Sequence, residues 1–159
     1  MSDADASFAW KAQLWTAPRD TGRTMSAENV ELARAAIEAA QRKPTPDYET
    51  INALFHPDHE FLSRDAGLEG GSHLGAQGYR EWLAATSQVL EWEATLAEVT
   101  EIDDERVLAV TLAKFRGAQS GAWTEQRNGV VLTVRDGKVI RTEVYRSREE
   151  ALEAVGLSE

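Results

Sequence analysis

The chain has 159 residues, 42% of them hydrophobic, with 17 Lys and Arg against 27 Asp and Glu for a formal charge of −10, and it contains no cysteine. That length suits one domain able to bury roughly 68–70% of the surface its unfolded form exposes, and the negative charge repels phosphate backbones and anionic lipid, so neither nucleic acid nor a membrane surface is expected as a partner. The missing cysteines exclude disulfides, thiolate nucleophiles and cysteine-ligated zinc; with no apolar run of roughly 18 residues and an acidic start at Asp3 and Asp5, the sequence reads as cytoplasmic.

Residues 1–24 differ from the rest. They carry Phe8, Trp10 and Trp15 and end in the breaker residues Pro18, Asp20, Thr21 and Gly22. Two readings stand: a tail, or a start placed ahead of Met25, and an arm whose tryptophans dock on a partner subunit or a pocket mouth. The domain proper is expected over 25–159. Ser26 reads as an N-cap with Glu28 in the first turn, and Val30, Ala33, Ile37 and Ala40 recur at helical spacing to about Arg42. Pro44 and Pro46 stop that helix. A second helix is expected from Asp47 to Phe55, a turn at His56-Pro57-Asp58, and a brief strand through Phe61 and Ser63. Gly67, Gly70, Gly71 and Gly75 make 64–75 an irregular loop, and Tyr79, Trp82, Leu83, Thr86 and Leu90 mark a third helix.

The remainder is β. Segments starting near Trp92, Arg106, Ala122 and Lys138 are separated by turn residues, which predicts an antiparallel meander. Helices first and strands last give an α+β class.

Arg135-Asp136-Gly137-Lys138 can form a two-residue turn or a three-residue turn with Gly137 in a bulge, and one residue of register swaps the faces. With the bulge, Val130, Leu132 and Val134 share a face with Ile140, Thr142 and Val144, and Arg141, Glu143 and Tyr145 stand outside. That is the register expected. The same logic adds Leu108, Val110 and Leu112 to the apolar face, and puts Phe115 and Trp123 outside, where aromatics suit a dimer interface. Gln126, Asn128, Thr142 and Arg146 fall among aliphatic neighbours. Buried polar groups need partners, so these bond each other, water or a ligand.

Read together in order, Ser26-Ala27-Glu28-Asn29-Val30, Phe55-His56-Pro57-Asp58, Gly75 and Gly78 before Tyr79-Arg80-Glu81-Trp82-Leu83, Ser120-Gly121, the Arg-Asp-Gly-Lys turn, and Tyr145 ahead of 150–157 carry a likeness. The sequence resembles the SnoaL-like group within the nuclear transport factor 2-like superfamily, alongside ketosteroid isomerases and certain polyketide cyclases. The resemblance implies a cone-shaped α+β barrel: a curved antiparallel sheet wrapped against three N-terminal helices, with a ligand pocket between them and homodimers formed through the outer sheet face.

The family's catalytic roles can be carried over only by position. The isomerases' carboxylate base, tyrosine and protonated acid, a constellation used as a general example of pKa tuning, fall at about Ser63, Ala35 and Val130. The cyclases' aspartate falls near Val144. None of these side chains can take up a proton beside a carbonyl.

What remains is a glycine-rich loop with Arg64, Asp65, Glu69 and His73, of which His73 and Asp65 are the candidate acid–base pair. His56 and His59, i and i+3 in a Pro-containing turn, lack a third ligand, so no metal and no cofactor is expected. Tyr79 and Trp82 point inward, as core or as pocket wall. Arg64, Tyr79, Trp82, Gln126, Asn128, Val130, Thr142 and Arg146 are the candidate ligand contacts. One function reading is a protein binding a small, largely apolar molecule in the cone; any reaction there would be isomerase, lyase or cyclase chemistry without a metal. The other is a non-catalytic dimeric module using the outer sheet face or the N-terminal arm.

Overall fold

The structure, a computed structural model, describes residues 21–43, 45–63, 71–117 and 121–157. Helix α1 spans Thr21–Gln41 and buries Leu32, Ala33, Ala36, Ile37 and Ala39 along one stripe. It begins ahead of Ser26, which is therefore an interior residue and not the N-cap: Arg23 and Met25 are good helix formers, so a capable cap residue does not end the helix on its own. Asn29 ties its first half to the far side of the fold by donating to the Asp104 carbonyl at 2.9 Å. Helix α2, Tyr48–Leu54, is capped by Asp47, whose carboxylate accepts from the Thr50 amide at 3.2 Å and the Thr50 hydroxyl at 2.7 Å. Those bonds hold the Asp47 carboxyl below its ordinary value.

Strand β1 then runs through Phe55–Ser63. The expected turn at His56-Pro57-Asp58 is instead a bulge inside this strand: Phe55 lies beside Val139 and Glu60 beside Arg141, so residues 56–59 stand against Ile140 alone. Pro57 has no amide hydrogen for a ladder, and the Asp58 amide is satisfied locally by His56 Nδ1 at 3.0 Å. The glycine-rich stretch, read as irregular throughout, ends in a short strand β2, Gly71–Leu74, antiparallel to β1. Helix α3 follows over Gly75–Val89.

Strands β3 (Leu90–Glu101), β4 (Arg106–Gly117), β5 (Thr124–Arg135) and β6 (Lys138–Tyr145) form the predicted antiparallel meander. The sheet as a whole is mixed, in the order β2-β1-β6-β5-β4-β3, because β1 pairs with β6 in parallel. It is curved, and the N-terminal helices pack on its inner face. A closing helix α4, Arg148–Ala154, covers part of the outer face, where Ala151 and Leu152 pack on Leu108 and Val131. The approach is close: a Cβ on Gly129 would lie 2.7 Å from both the Ala151 Cβ and the Ser147 carbonyl oxygen.

Two register expectations change. At the last hairpin Arg135 pairs with Lys138, and Asp136 and Gly137 both have positive φ, 55° and 74°, so the turn is of the two-residue kind whose twist matches its strands. The compensating bulge sits at Ile140, between the Val134–Val139 and Thr133–Arg141 pairs. Val130 therefore still faces Val144 and Leu132 still faces Thr142, as expected, but fully buried Val139 takes the inner place assigned to Ile140. On β4 the faces are inverted. Ala109 pairs with Val130 and Thr111 with Asn128, so Val107, Ala109, Thr111, Ala113 and Phe115 face inward, while Leu108 goes under α4 and Leu112 is exposed. Phe115 is thus an inner residue and Trp123 alone of the proposed aromatic pair is exposed. Among the described residues no helix is long and apolar enough to cross a membrane.

Candidate functional site

Between the helices and the inner face of the sheet lies a cavity of about 190 Å³. Its walls come from α1 (Ala36, Ile37, Ala40, Gln41), α3 (Tyr79, Trp82, Leu83, Thr86) and the inward positions of β1 and β3 to β6. Period-two alternation explains the strand contribution: Gln126, Asn128, Val130 and Leu132 follow one another along β5, flanked by Ala113 and Thr111 on one side and Val144 and Thr142 on the other. No lining residue among those described carries a formal charge.

The two ends of the cavity differ. Toward Leu132 and Thr142 the walls are aromatic and, apart from the partly buried Trp82, buried: Phe61 packs on Tyr79 and Trp82 with ring centroids 4.9 and 4.5 Å away, and Phe55 lies 5.4 Å from Tyr79. Burial pushes the Tyr79 phenol well above its ordinary pKa, with a smaller contribution from Tyr48, so it stays protonated. Toward Gln126 the walls are half-buried, with Trp92 and Phe115 at the rim. There the Gln126 amide nitrogen donates to Asn128 Oδ1. Lys43 sits over the Trp92 ring, 3.7 Å from its centre.

His59 is the residue the sequence reading missed. It belongs to the supposed turn, yet it is fully buried, stacked on Phe55 at 3.8 Å, and its Nε2 lies 2.9 Å from Thr142 Oγ1. Its Nδ1 is buried with no hydrogen-bond partner among the described residues. Desolvation lowers its pKa to about 4, the nearby Glu60 carboxylate opposing only in part, so the ring is neutral at pH 7. The signal was present in the alternation of His59, Phe61 and Ser63, all inward and buried. His56 is separate from it, half-buried and facing Asp58 and Asp136 at 3.9 and 4.0 Å. Among the described residues no group of three His, Asp or Glu is placed to hold a metal ion.

The structure brings together Tyr79, Trp82, Gln126, Asn128, Val130 and Thr142 on the cavity wall. It does not bring Arg146 or His73 there. Arg146 is exposed past the end of β6, where the chain bends toward α4 and the inward alternation has stopped. His73 is on β2, paired with Phe61 and with its ring 6.2 Å from the Phe61 ring, but outside the lining. Its assigned partner Asp65, and Arg64, lie outside the described residues.

No protein-family model matches the sequence, and no curated protein matches it significantly. Solved structures do. TerC co-crystallised with polyporic acid is 27% identical over 79% of this chain and 96% of its own, with a TM-score of 0.64. A nuclear transport factor 2-like protein from Burkholderia xenovorans is 24% identical over 76% of this chain and 89% of its own, with a TM-score of 0.63. A hypothetical protein of ketosteroid isomerase-like fold from Catenulispora acidiphila, in complex with trimethylamine, is 16% identical over 80% of this chain and 93% of its own, with a TM-score of 0.61. The chain has the nuclear transport factor 2-like fold. Within that fold, Val130 and Val144, aligned above with acids of the relatives, line the cavity as aliphatic wall. Ser63 is buried behind the wall with its hydroxyl unpartnered among the described residues, and Ala35 is half-buried outside the lining.

Proposed function

We propose that the protein binds a small, neutral, largely apolar molecule in the cone cavity, and that it does so without the carboxylate machinery of the isomerases and cyclases it resembles. The observation that carries this reading is the lining itself: aromatic and aliphatic side chains, with amides and hydroxyls as its polar groups and no charge among the described residues. A charged ligand would lose its hydration there without a counter-charge to replace it, which costs several kcal/mol. A neutral one would lose little. Similar structures solved with small molecules, polyporic acid on TerC and trimethylamine on the Catenulispora protein, agree with a ligand-holding use of the fold. Because Val130 and Val144 stand at the aligned acid positions, any reaction here would need other groups than the relatives use.

The test compares biphenyl with biphenylcarboxylate. The neutral compound is expected to raise the melting temperature and quench the fluorescence of Trp82 and Trp92 in the wall, and the carboxylate to do neither at the same concentration. Ala113→Trp, which fills the cavity from β4, should abolish the response. Preference for the anion, or an unchanged response in the filled variant, would remove the reading.

Homodimerisation through the outer sheet face fits alongside it. Leu112 is 42% and Trp123 47% exposed on that face, away from the part that α4 covers.

A further inference from the structure

Three chain segments meet at the half-buried end of the cavity, and Trp92 joins them. Helix α1 ends at Gln41, shortly before Lys43; helix α3 ends at Val89, shortly after Ser87; and Trp92 stands near the start of β3, which begins at Leu90. The indole forms part of the cavity rim, but the groups that hold it there do not line the cavity. Its Nε1 donates to Ser87 Oγ at 3.3 Å, and Lys43 Nζ lies over the ring, 3.7 Å from its centre. Ser87 and Lys43 are exposed, so both contacts are made beside water. Partial burial lowers the Lys43 pKa, the Glu93 carboxylate opposing it, which fits an ammonium drawn out of water onto the indole. Each contact favours the held position by only about two- to tenfold. Both can break without disturbing the core, because β3 is an edge strand and Trp92 is paired across it with Phe115 alone.

Resting on the reading of the cavity as a ligand site, we propose that Trp92 is a gate at the cavity mouth, latched by Ser87 and Lys43, so that these two residues set how fast a ligand enters and leaves. How tightly the ligand is held is left to the lining. The division follows from where the side chains stand. Ser87 and Lys43 reach the indole from the ends of two helices and contribute nothing to the wall, so their contacts are the same whether the cavity is empty or filled. Loosening them raises the open population of both forms equally, and a change that favours neither form leaves affinity where it was. Passage through the mouth becomes more frequent in both directions. Lys43 and Ser87 are positioning residues; Trp92 is the moving part.

The chain has no cysteine, so a thiol placed on the cavity wall is a sole reporter of access. Ala36 lines the cavity, is 3% exposed and lies a helical turn farther from the end of α1 than Ala40. In Ala36→Cys, labelling by the neutral disulfide dithiodipyridine should be slow. Adding Lys43→Met or Ser87→Ala should speed it about two- to tenfold with the urea midpoint unchanged, and adding Lys43→Arg, which keeps a cation for the ring, should not. Ala113→Cys, also on the wall, is the reporter should Ala36→Cys fail to fold. In stopped-flow mixing of the cysteine-free chain with N-phenylnaphthylamine, which is neutral and brightens in apolar surroundings, Lys43→Met and Ser87→Ala should raise the association and dissociation rates together and leave Kd unchanged. Labelling at the wild-type rate in both variants, acceleration that tracks a lowered urea midpoint, or altered affinity at an unaltered association rate would overturn the gate and leave the neutral-ligand reading in place. Faster labelling without any binding of the probe would keep the gate and remove that reading.

Discussion

The two faces of the sheet solve opposite problems with the same strands. On the inner face, the positions of β4, β5 and β6 that line the cavity carry no formal charge, and among their polar groups Gln126 meets Asn128 and Thr142 meets His59. On the outer face the same strands carry cross-strand ion pairs: Arg116 with Glu91 at 2.8 Å, Lys114 with Glu125 at 3.7 Å, and Arg141 with Glu60 at 3.0 Å. The difference teaches where selectivity can come from. An outer surface dense with carboxylates leaves the chain acidic overall, while the cavity gains no field from residues of its own wall. A ligand is chosen inside by shape and by a few hydrogen bonds, not by charge.

The largest effect should come from moving charge between the faces. Leu132 is 1% exposed on the inner side of β5, and its neighbour Thr133 points outward between Arg106 and Arg141. Leu132→Asp places an unpaired carboxyl in an apolar wall and removes core volume, for an expected loss of about 3–5 kcal/mol. Thr133→Asp meets two guanidinium groups near water and should change stability by less than ~1 kcal/mol. Chemical denaturation of the two variants measures the contrast, and comparable losses would mean that the faces have been assigned wrongly.

How much of this was legible in the sequence follows from the same contrast. β5 and β6 have one apolar and one polar side, so the pairing of Val130 with Val144 and of Leu132 with Thr142 could be read from alternation alone. The route to that pairing could not. Asp136 and Gly137 are both suited to positive φ, turn chemistry fixed a two-residue loop, and the slip demanded by the faces moved to Ile140. β4 was illegible for a different reason. Val107, Leu108, Ala109 and Val110 are all at most 2% exposed, because this central strand is covered by the helices on one side and α4 on the other, and a strand buried on both faces has no alternation to show. His59 was concealed by Pro57, which suggested a turn where the chain makes a bulge and resumes its strand. For Arg146 the error was one of extent, alternation being carried past the last residue of β6. Val130 and Val144, by contrast, remain paired on the inner face after these corrections.

A smaller effect should sharpen the account of the closed end through pH. The pKa of His59 falls from an ordinary 6.5 when unfolded to about 4 in the folded protein. Between those values the unfolded chain binds the extra proton and the folded one does not, so stability falls as pH drops through this window and is level above it as far as this group is concerned. The full loss is about 3 kcal/mol, most of it in place by pH 4. His59→Gln cannot take up that proton, so its stability between pH 6.5 and 4 should fall by correspondingly less than that of the wild type. Equal slopes in urea titrations of the two proteins would show that His59 is hydrated and not enclosed as described.

The smallest effect on folding, and the most direct question about assembly, belongs to Leu112. It lies on the outer face between Thr95 and Arg127, 42% exposed, with Lys114 next to it along the same face of β4. Leu112→Glu adds no buried charge and should shift the stability of a single chain by less than ~0.5 kcal/mol. In a dimer formed through this face the same carboxylate would be desolvated against its symmetry mate or a partner strand, since a twofold interface presents each substitution twice. Sedimentation of the wild type as a dimer and of the variant as a monomer is therefore expected, with thermal unfolding of the variant becoming independent of concentration. If both sediment alike, the outer face of β4 is solvent surface, and its exposed leucine is one of the isolated apolar residues that any soluble fold tolerates.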